Sequence, residues 1–511
     1  MIRIDCCGSQ VTNNIARRIR EKGVFADIVP FHTPADDVLK PGLEGVIEGL
    51  IVSGGQFSVY DPDSPYPPKE ILEADIPVLG ICYGQQWIAY ALGGKVEPTT
   101  NREYGETRIK IIKESPLFKG ISEKEFVAWM SHGDIVKESP PGFEIVTLSE
   151  NGHIAAIQNL DRQIYAVQFH PEVDHTQYGR KILENFACIC NASRTWDPTK
   201  DYDRLVEEIK ERLKGKVGIG GISGGVDSST VSVLVNKHTD GYHPIFVDNG
   251  LLRLNEAEEV KASLNPFGLI IIYADASRRF LKKLKGITDP DEKRRIIGHE
   301  FIAVFEEEAR KIPGASYLVQ GTLYPDVIES VPVYGASSKI KRHHNVGGLP
   351  EKMGLEVVEP FRHMFKDEVR KIAEERLGMP KEIVHRHPFP GPGLAVRIIG
   401  EITPERLAML RQADAIFIEE LKKRGLYYDI AQAFAVLTNA QAVGVMGDEG
   451  TYQAVIGLRA VTTNDFMTSD IYHFKWNDLQ AITNRIINEV KGVNRVAYDL
   501  SQKPPSTIEW E

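Results

Sequence analysis

The sequence predicts an α/β protein: two successive α/β domains with mostly parallel sheets, followed by a small α+β domain. Three observations predict it. Up to about residue 192, short apolar runs alternate with helix-period patterns, as in strands joined by crossover helices. The polar, proline-containing stretch from Arg194 to Asp203 reads as a linker, and the alternation resumes at Tyr202. His385 to Gly393 then alternates proline with glycine, which no helix survives and which marks a domain junction. The expected domains are therefore 1–192, 193–387 and 388–511.

In the first domain, Ile2-Arg3-Ile4, Gly49 to Val52 and Pro77 to Ile81 are the strand-like runs. Ile15 to Glu21 and Trp87 to Leu92 are the helical ones. In the second, Leu205, Ile209 and Leu213 recur at the spacing of one helix face. A strand at 217–222, a helix-like run from Thr230 to Val235 and a strand from Pro244 to Val247 follow. The third carries a helix from Pro404 to Arg424, strand-like runs including Gln453 to Val461, and a helix from Asn477 to Val490. Its apolar face, Leu479, Ile482 and Ile486, fits either a core or a dimer surface. There is no internal repeat and no low-complexity segment.

At 511 residues, a prior of about 150 residues per domain gives about three domains. The composition, 42% hydrophobic and 26% charged, is that of a globular protein. A net charge of -10 argues against nonspecific nucleic-acid binding but leaves room for a locally basic site and an anionic small substrate. The five cysteines, Cys6, Cys7, Cys82, Cys188 and Cys190, include no Cys-x-x-Cys pair. That suggests neither a disulfide framework nor a zinc site, and fits a reduced, cytoplasmic setting. Cys188 and Cys190 read as structural. The first residues lack the apolar core of a signal peptide, and no run approaches the ~18 apolar residues of a membrane span. A cytoplasmic protein without a membrane partner is expected.

Ser223-Gly224-Gly225-Val226-Asp227-Ser228-Ser229 lies between the strand at 217–222 and a helix. Glycine lets the backbone approach a ligand closely, and the helix aims free N–H groups and its positive dipole end at an anion. Ser228 and Ser229 offer hydroxyl donors, and Asp227 can hold a cation beside phosphates. The string lacks the lysine of the common nucleotide loop. It resembles instead the pyrophosphate loop of enzymes that split ATP into AMP and pyrophosphate, with Mg2+ bridging the phosphates.

A second constellation surrounds Cys82. Gly80-Ile81-Cys82-Tyr83-Gly84 follows an apolar strand and has the form of a nucleophile elbow. The helix behind it favours the thiolate. In extended chain, His170 and Glu172 face the same side, so Glu172 can orient the ring that serves Cys82. Ser53-Gly54-Gly55 offers N–H groups to an oxyanion.

Cys82, His170 and Glu172 resemble the triad of the class I glutamine amidotransferases, with Gly54 and Gly55 near the oxyanion site. Trp129-Met130-Ser131-His132-Gly133-Asp134 resembles that family's glutamine-site strand, and the resemblance adds Gln86, Ser131 and His132 to the glutamine site. Two departures are visible: Gln56 stands where the family usually has proline, and Cys6-Cys7 where an aromatic is usual.

Further segments resemble the GMP synthetase family across essentially the whole chain. They are Phe246 to Arg253 with Asp248, Gln320 to Ser330, His343 to Pro350, Arg386 to Leu394, and the ending Lys503 to Glu511. The resemblance implies a class I glutaminase domain, a Rossmann-like ATP pyrophosphatase domain and a C-terminal dimerisation domain, acting as a homodimer. Its reaction joins XMP, ATP and glutamine to give GMP, AMP, pyrophosphate and glutamate. It places ATP at residues 223–229 and Asp248, Mg2+ at Asp227, and XMP near Asp448, Lys503 and Glu509. Glu449-Gly450 departs from the family, which more often carries glycine then arginine after the aspartate. The segment 339–350, with Lys339, Lys341, Arg342 and His343, fits a closing loop and a plain surface loop equally. Arg278, Arg279, Lys282, Lys283 and Lys285 read as one solvated helix face.

Two other readings compete. A glutaminase fused to another pyrophosphate-loop enzyme, making NAD, asparagine or a modified tRNA base, is opposed by the 386–394 and 503–509 segments. The tRNA version also lacks a basic footprint. A regulatory nucleotide-binding protein without turnover is opposed by the intact Cys82, His170, Glu172 and Asp227.

Overall fold

The computed structural model describes residues 1–330, 354–446, 448–463, 466, 468–503 and 505–511. The 339–350 segment with its basic residues, Gly447 and Pro504 lie outside them. The chain divides into two compact units, Met1–Asp197 and, from Pro198 on, the remainder to Glu511 apart from a short stretch after Val327.

The first unit is built on a nine-stranded sheet in the order β2-β1-β3-β4-β9-β8-β7-β5-β6. Its strands are β1 (Ile2–Cys6), β2 (Ala26–Pro30), β3 (Gly49–Val52), β4 (Val78–Ile81), β5 (Lys95–Ile111), β6 (Glu125–Glu138), β7 (Glu144–Ser149), β8 (Ile154–Asn159) and β9 (Ile164–Val167). β1, β3, β4 and β9 are buried along their whole length. Their near-continuous apolar runs are what a strand covered on both faces requires. The sheet is mixed rather than mostly parallel. The pairs β1/β2, β1/β3, β3/β4 and β4/β9 are parallel, whereas β5/β6, β5/β7, β7/β8 and β8/β9 are antiparallel. The antiparallel arm escapes a reading based on apolar runs because β5 and β6 have many exposed and half-buried positions.

In the second unit, β10 (Val217–Gly221), β11 (Tyr242–Asp248), β12 (Ile272–Asp275), β13 (Ala315–Val319) and β14 (Glu356–Val358) form a parallel sheet in the order β12-β11-β10-β13-β14. This doubly wound order reverses between β10 and β13, so a crevice opens at their carboxyl ends. The loop at Ser223 follows β10 at that switch point.

The same unit holds a four-stranded sheet of β15 (Gln432–Met446), β16 (Glu449–Thr462), β17 (Asp470–Ile471) and β18 (Val493–Tyr498). One apolar cluster runs from Ile219 and Ile245 through Leu394 and Ile398 to Ile456 and Leu458. The two sheets therefore share a core. The Pro/Gly stretch packs beside the first of them: Leu394 N–H donates to the Leu251 carbonyl at 2.8 Å.

Two further sequence expectations change. The linker from Arg194 to Asp203 runs into a helix, Pro198–Leu213. Proline is pre-set for a first helical turn, and the polar residues there are its solvent face. The basic patch at 278–285 is not simply solvated. Arg279 and Lys283 both pair with Glu300, a buried carboxylate on the neighbouring helix Pro290–Ala309.

Candidate active site

β4 ends at Ile81, and the helix Tyr83–Ala91 begins one residue later. Cys82 makes that turn with φ +52° and ψ −105°, a strained conformation for a residue with a side chain. Its amide is fixed by the Val167 carbonyl of neighbouring β9 at 2.8 Å. Gly84 is required next to it, because a Cβ there would lie 2.2 Å from the Val52 carbonyl oxygen. The turn thus presents Cys82 at a helix N-terminus, packed against the strands beside it.

β9 leads directly to His170, whose Nδ1 lies 2.8 Å from Glu172 Oε1. The imidazole also lies within electrostatic reach of Cys82. Burial alone would push His170 down, but the charges of Glu172 and Cys82 outweigh it and hold the ring well above its ordinary value. Thr176 Oγ1 donates to the His170 carbonyl at 2.6 Å, and Glu172 is fully buried. Cys82, His170 and Glu172 are therefore brought together, with His170 bonded to Glu172 and under the charge of both neighbours.

Gly54 and Gly55 follow β3. A Cβ on Gly54 would lie 3.2 Å from His170 Cε1, so this loop borders the imidazole. Ser131 brings its carbonyl oxygen to 3.8 Å from Cys82 Sγ. Gln86 is buried and donates to the Asp134 carbonyl at 2.9 Å and to Gln168 Oε1 at 3.2 Å. His132 is buried too, with Nδ1 3.0 Å from the Asp134 carbonyl and Nε2 2.9 Å from Glu103. It braces the strand from behind.

Two residues near these centres were not singled out from sequence. Gln168 places Nε2 3.7 Å from Cys82 Sγ. The signal for it was present: Gln168, His170 and Glu172 are spaced by two and share a side in extended chain. Lys366 pairs with Asp227 Oδ2 at 3.2 Å, and no motif announces it.

The helix Val226–His238 opens on the loop at Ser223. Gly224 takes φ +77°, which suits glycine. Ser223 and Ser228 hydroxyls are 3.0 Å apart, and Ser228 also donates to the Gly225 carbonyl at 3.2 Å. Val226 and Ser229 are buried, while Ser223 and Gly225 are exposed. Asp227 Oδ1 is buried without a protein partner, a position suited to a cation. Among the described residues no cluster of three or more metal-ligating side chains occurs. A single carboxylate oxygen fits Mg2+, which takes its remaining ligands from phosphates and water. Asp248, at the end of β11, accepts from Gly250 N–H at 2.8 Å and from Tyr273 Oη at 2.5 Å.

The three residues expected around XMP are not brought together in one chain. Lys503 pairs with Ser469, beside the Asp470–Thr462 pair, and donates to the Phe466 carbonyl at 2.7 Å. Glu509 takes a two-pronged ion pair from buried Arg397 at 2.8 and 3.0 Å and a bond from Gln432 at 2.7 Å. Gln432 pairs with Val461, so Lys503 and Glu509 sit at the Thr462 end of β16. Asp448, with φ +66°, sits at the opposite end, in the turn of the β15/β16 hairpin. The 14 residues of β16 put it on the order of 40 Å away at ~3.3 Å per residue.

The family described as glutamine amidotransferase class-I matches residues 3–190. The GMP synthase C terminal domain matches residues 419–510. The chain is 53% identical over 506 residues to the GMP synthase [glutamine-hydrolyzing] of Aquifex aeolicus, covering 99% of this chain and 98% of that one. Its counterparts in Carboxydothermus hydrogenoformans and Brachyspira hyodysenteriae are 52% and 51% identical at the same coverage. The chain belongs to the glutamine-hydrolysing GMP synthase family.

Proposed function

We propose that this chain is a C–N ligase that makes GMP from XMP, with glutamine as the nitrogen donor and ATP as the activating substrate. The convergence of Cys82, His170 and Glu172, with His170 bonded to Glu172, carries the reading. The Cys82 thiolate attacks the side-chain amide carbon of glutamine, forming a C–S bond. His170, oriented by Glu172, gives its proton to the departing nitrogen as the C–N bond breaks, and ammonia leaves. Water, losing a proton to His170, then cleaves the thioester to glutamate. N–H groups of the Gly54-Gly55 loop face the developing oxyanion, and Gln86, Ser131 and His132 shape the glutamine site.

ATP occupies the loop from Ser223 to Ser229 with Asp248. The XMP carbonyl oxygen attacks the α-phosphorus, pyrophosphate departs, and ammonia displaces AMP to give GMP. Asp227 would hold Mg2+, which supplies charge neutralisation for the pyrophosphate. XMP lies near Lys503 and Glu509.

A homodimer supplies Asp448 from the second copy. Support comes from the span of β16 and from the hairpin's apolar surface. Val443 and Val445, 72% and 76% exposed, share a face with Tyr452, opposite Val443. A glutaminase domain to about residue 192, a pyrophosphatase domain to 387 and a dimerisation domain beyond it complete the reading. Five free cysteines support a reduced cytoplasmic compartment, and no described helix is long and apolar enough to cross a membrane.

The test is Cys82→Ala. It should abolish glutamine-supported GMP formation and leave ammonia-supported formation intact, whereas Asp227→Ala should abolish both. Loss of both activities in Cys82→Ala overturns the division of labour.

A further inference from the structure

We infer that Gln168 is a catalytic residue of glutamine hydrolysis, its side-chain amide holding the sulfur of Cys82. The inference rests on the assignment of Cys82 as nucleophile. Gln168 is 1% exposed, and its Nε2 stands 3.7 Å from Cys82 Sγ. Its main-chain N–H is fixed by the Ala155 carbonyl at 2.9 Å.

The polarity of this contact follows from the network behind it. The Asp134 main-chain carbonyl can only accept. The Gln86 side chain, 2.9 Å away, must therefore present its nitrogen to that carbonyl. The same nitrogen reaches the Gln168 side chain at 3.2 Å, which must answer with its oxygen. Gln168 is left with its NH2 group facing the sulfur. An otherwise ambiguous amide is thus oriented by a backbone oxygen two links away. Asp134 is itself braced: His132 binds the same carbonyl, and the Tyr60 hydroxyl donates to the Asp134 carboxylate at 2.7 Å.

Electrostatics give the contact a purpose. The Ser131 carbonyl oxygen lies 3.8 Å from the sulfur, where its negative end disfavours a thiolate. The Gln168 N–H opposes it. His170 cannot carry this task throughout, because it spends its proton on the departing ammonia. When water adds to the thioester carbon and the C–S bond breaks, the electron pair returns to sulfur while His170 is taking the water's proton. Gln168 donates to the reforming thiolate at that moment. A hydrogen bond to a charged group is lost at a cost of about ten- to hundredfold in rate.

Gln168→Met keeps length and removes the donor; Gln168→Glu keeps shape and replaces the donor with a carboxylate. In the full chain, both should lower kcat for glutamine-supported GMP formation by about ten- to hundredfold, Gln168→Glu more. KM for glutamine and ammonia-supported synthesis should stay within about twofold. Alkylation of Cys82 by iodoacetamide at neutral pH, read on its own peptide, should slow about tenfold in Gln168→Met. Wild-type kcat and alkylation rate in Gln168→Met would overturn the inference, as would an equal fall in ammonia-supported synthesis. Cys82→Ala separates the two levels. If it keeps glutamine-supported synthesis, the nucleophile assignment fails. If it loses that activity while Gln168→Met stays normal, only the role of Gln168 fails.

Discussion

The centre around Cys82 and the centre around Glu509 use buried polar groups in opposite ways. At Cys82, a strained turn, an imidazole and a carboxylate meet inside one chain, and each is fixed by its neighbour. At Glu509 the fully buried cation Arg397 is already matched by the carboxylate expected to meet substrate, while Asp448 lies at the far end of β16. Covalent chemistry on an amide demands a preset geometry, because a small misplacement of the reacting groups costs orders of magnitude. A nucleotide-acceptor site tolerates assembly from separate pieces, and the proposed homodimer would bring Asp448 from a second copy.

The sharpest way to break this contrast is Glu172→Ala. It removes only the orienter, whose carboxylate raises His170. Glutamine-supported turnover should fall on the order of 10²-fold or more, with ammonia-supported turnover unchanged in the same assay. Comparable losses in both would mean that the Cys82 centre is not self-contained.

Mixing subunits tests the other side. Asp448→Ala and Lys503→Met should each lose most XMP-dependent turnover at subsaturating XMP. In an equal mixture, half the dimers are mixed, and each carries one intact and one doubly damaged site. About a quarter of wild-type activity should return. No recovery would mean that Asp448 and Lys503 do not act across two chains.

The contrast also accounts for what could be read from sequence. The Cys82 centre is made of groups close in sequence to strand ends, so glycine spacing and the alternation of His170 with Glu172 reveal it. Gln168 shares that alternation, yet its role depends on Gln86 and Asp134, and no spacing rule links those three. The span between Asp448 and Glu509 follows from the length and pairing of β15 and β16. β15 went unseen because Gln432–Met446 mixes alanine with polar residues and lacks a clear period. Lys366 and Arg397 carry no local signal, since a lysine or arginine reads as surface until its partner is placed.

His387 offers a stability test of the second unit. It stacks on Tyr427 with centroids 3.9 Å apart, accepts from Ala433 N–H at 3.2 Å, and bonds the Tyr427 carbonyl at 2.8 Å. Accepting from an amide requires an unprotonated nitrogen. Burial pushes its pKa down to about 4, against about 6.5 in an unfolded chain. The unfolded state therefore binds the extra proton first. The contribution is fully present above about pH 6.5 and is lost as pH falls toward 4, on the order of 3 kcal/mol in all. Denaturant midpoints across that window should fall more steeply for wild type than for His387→Gln.

The smallest effect belongs to Tyr273→Phe. The Tyr273 hydroxyl donates to Asp248 Oδ2 at 2.5 Å, while Gly250 N–H holds the other carboxylate oxygen at 2.8 Å. Tyr273 is 39% exposed, so water can replace the lost donor. Its ring remains packed on Phe246, with planes only 16° apart. The substitution should leave the fold and the glutaminase untouched and raise KM for ATP no more than roughly fivefold, the scale of one partly solvated hydrogen bond. The direction matters more than the size. If Asp248 binds the nucleotide, loosening it must show in KM for ATP and not in KM for glutamine; a change confined to glutamine would remove Asp248 from the ATP site.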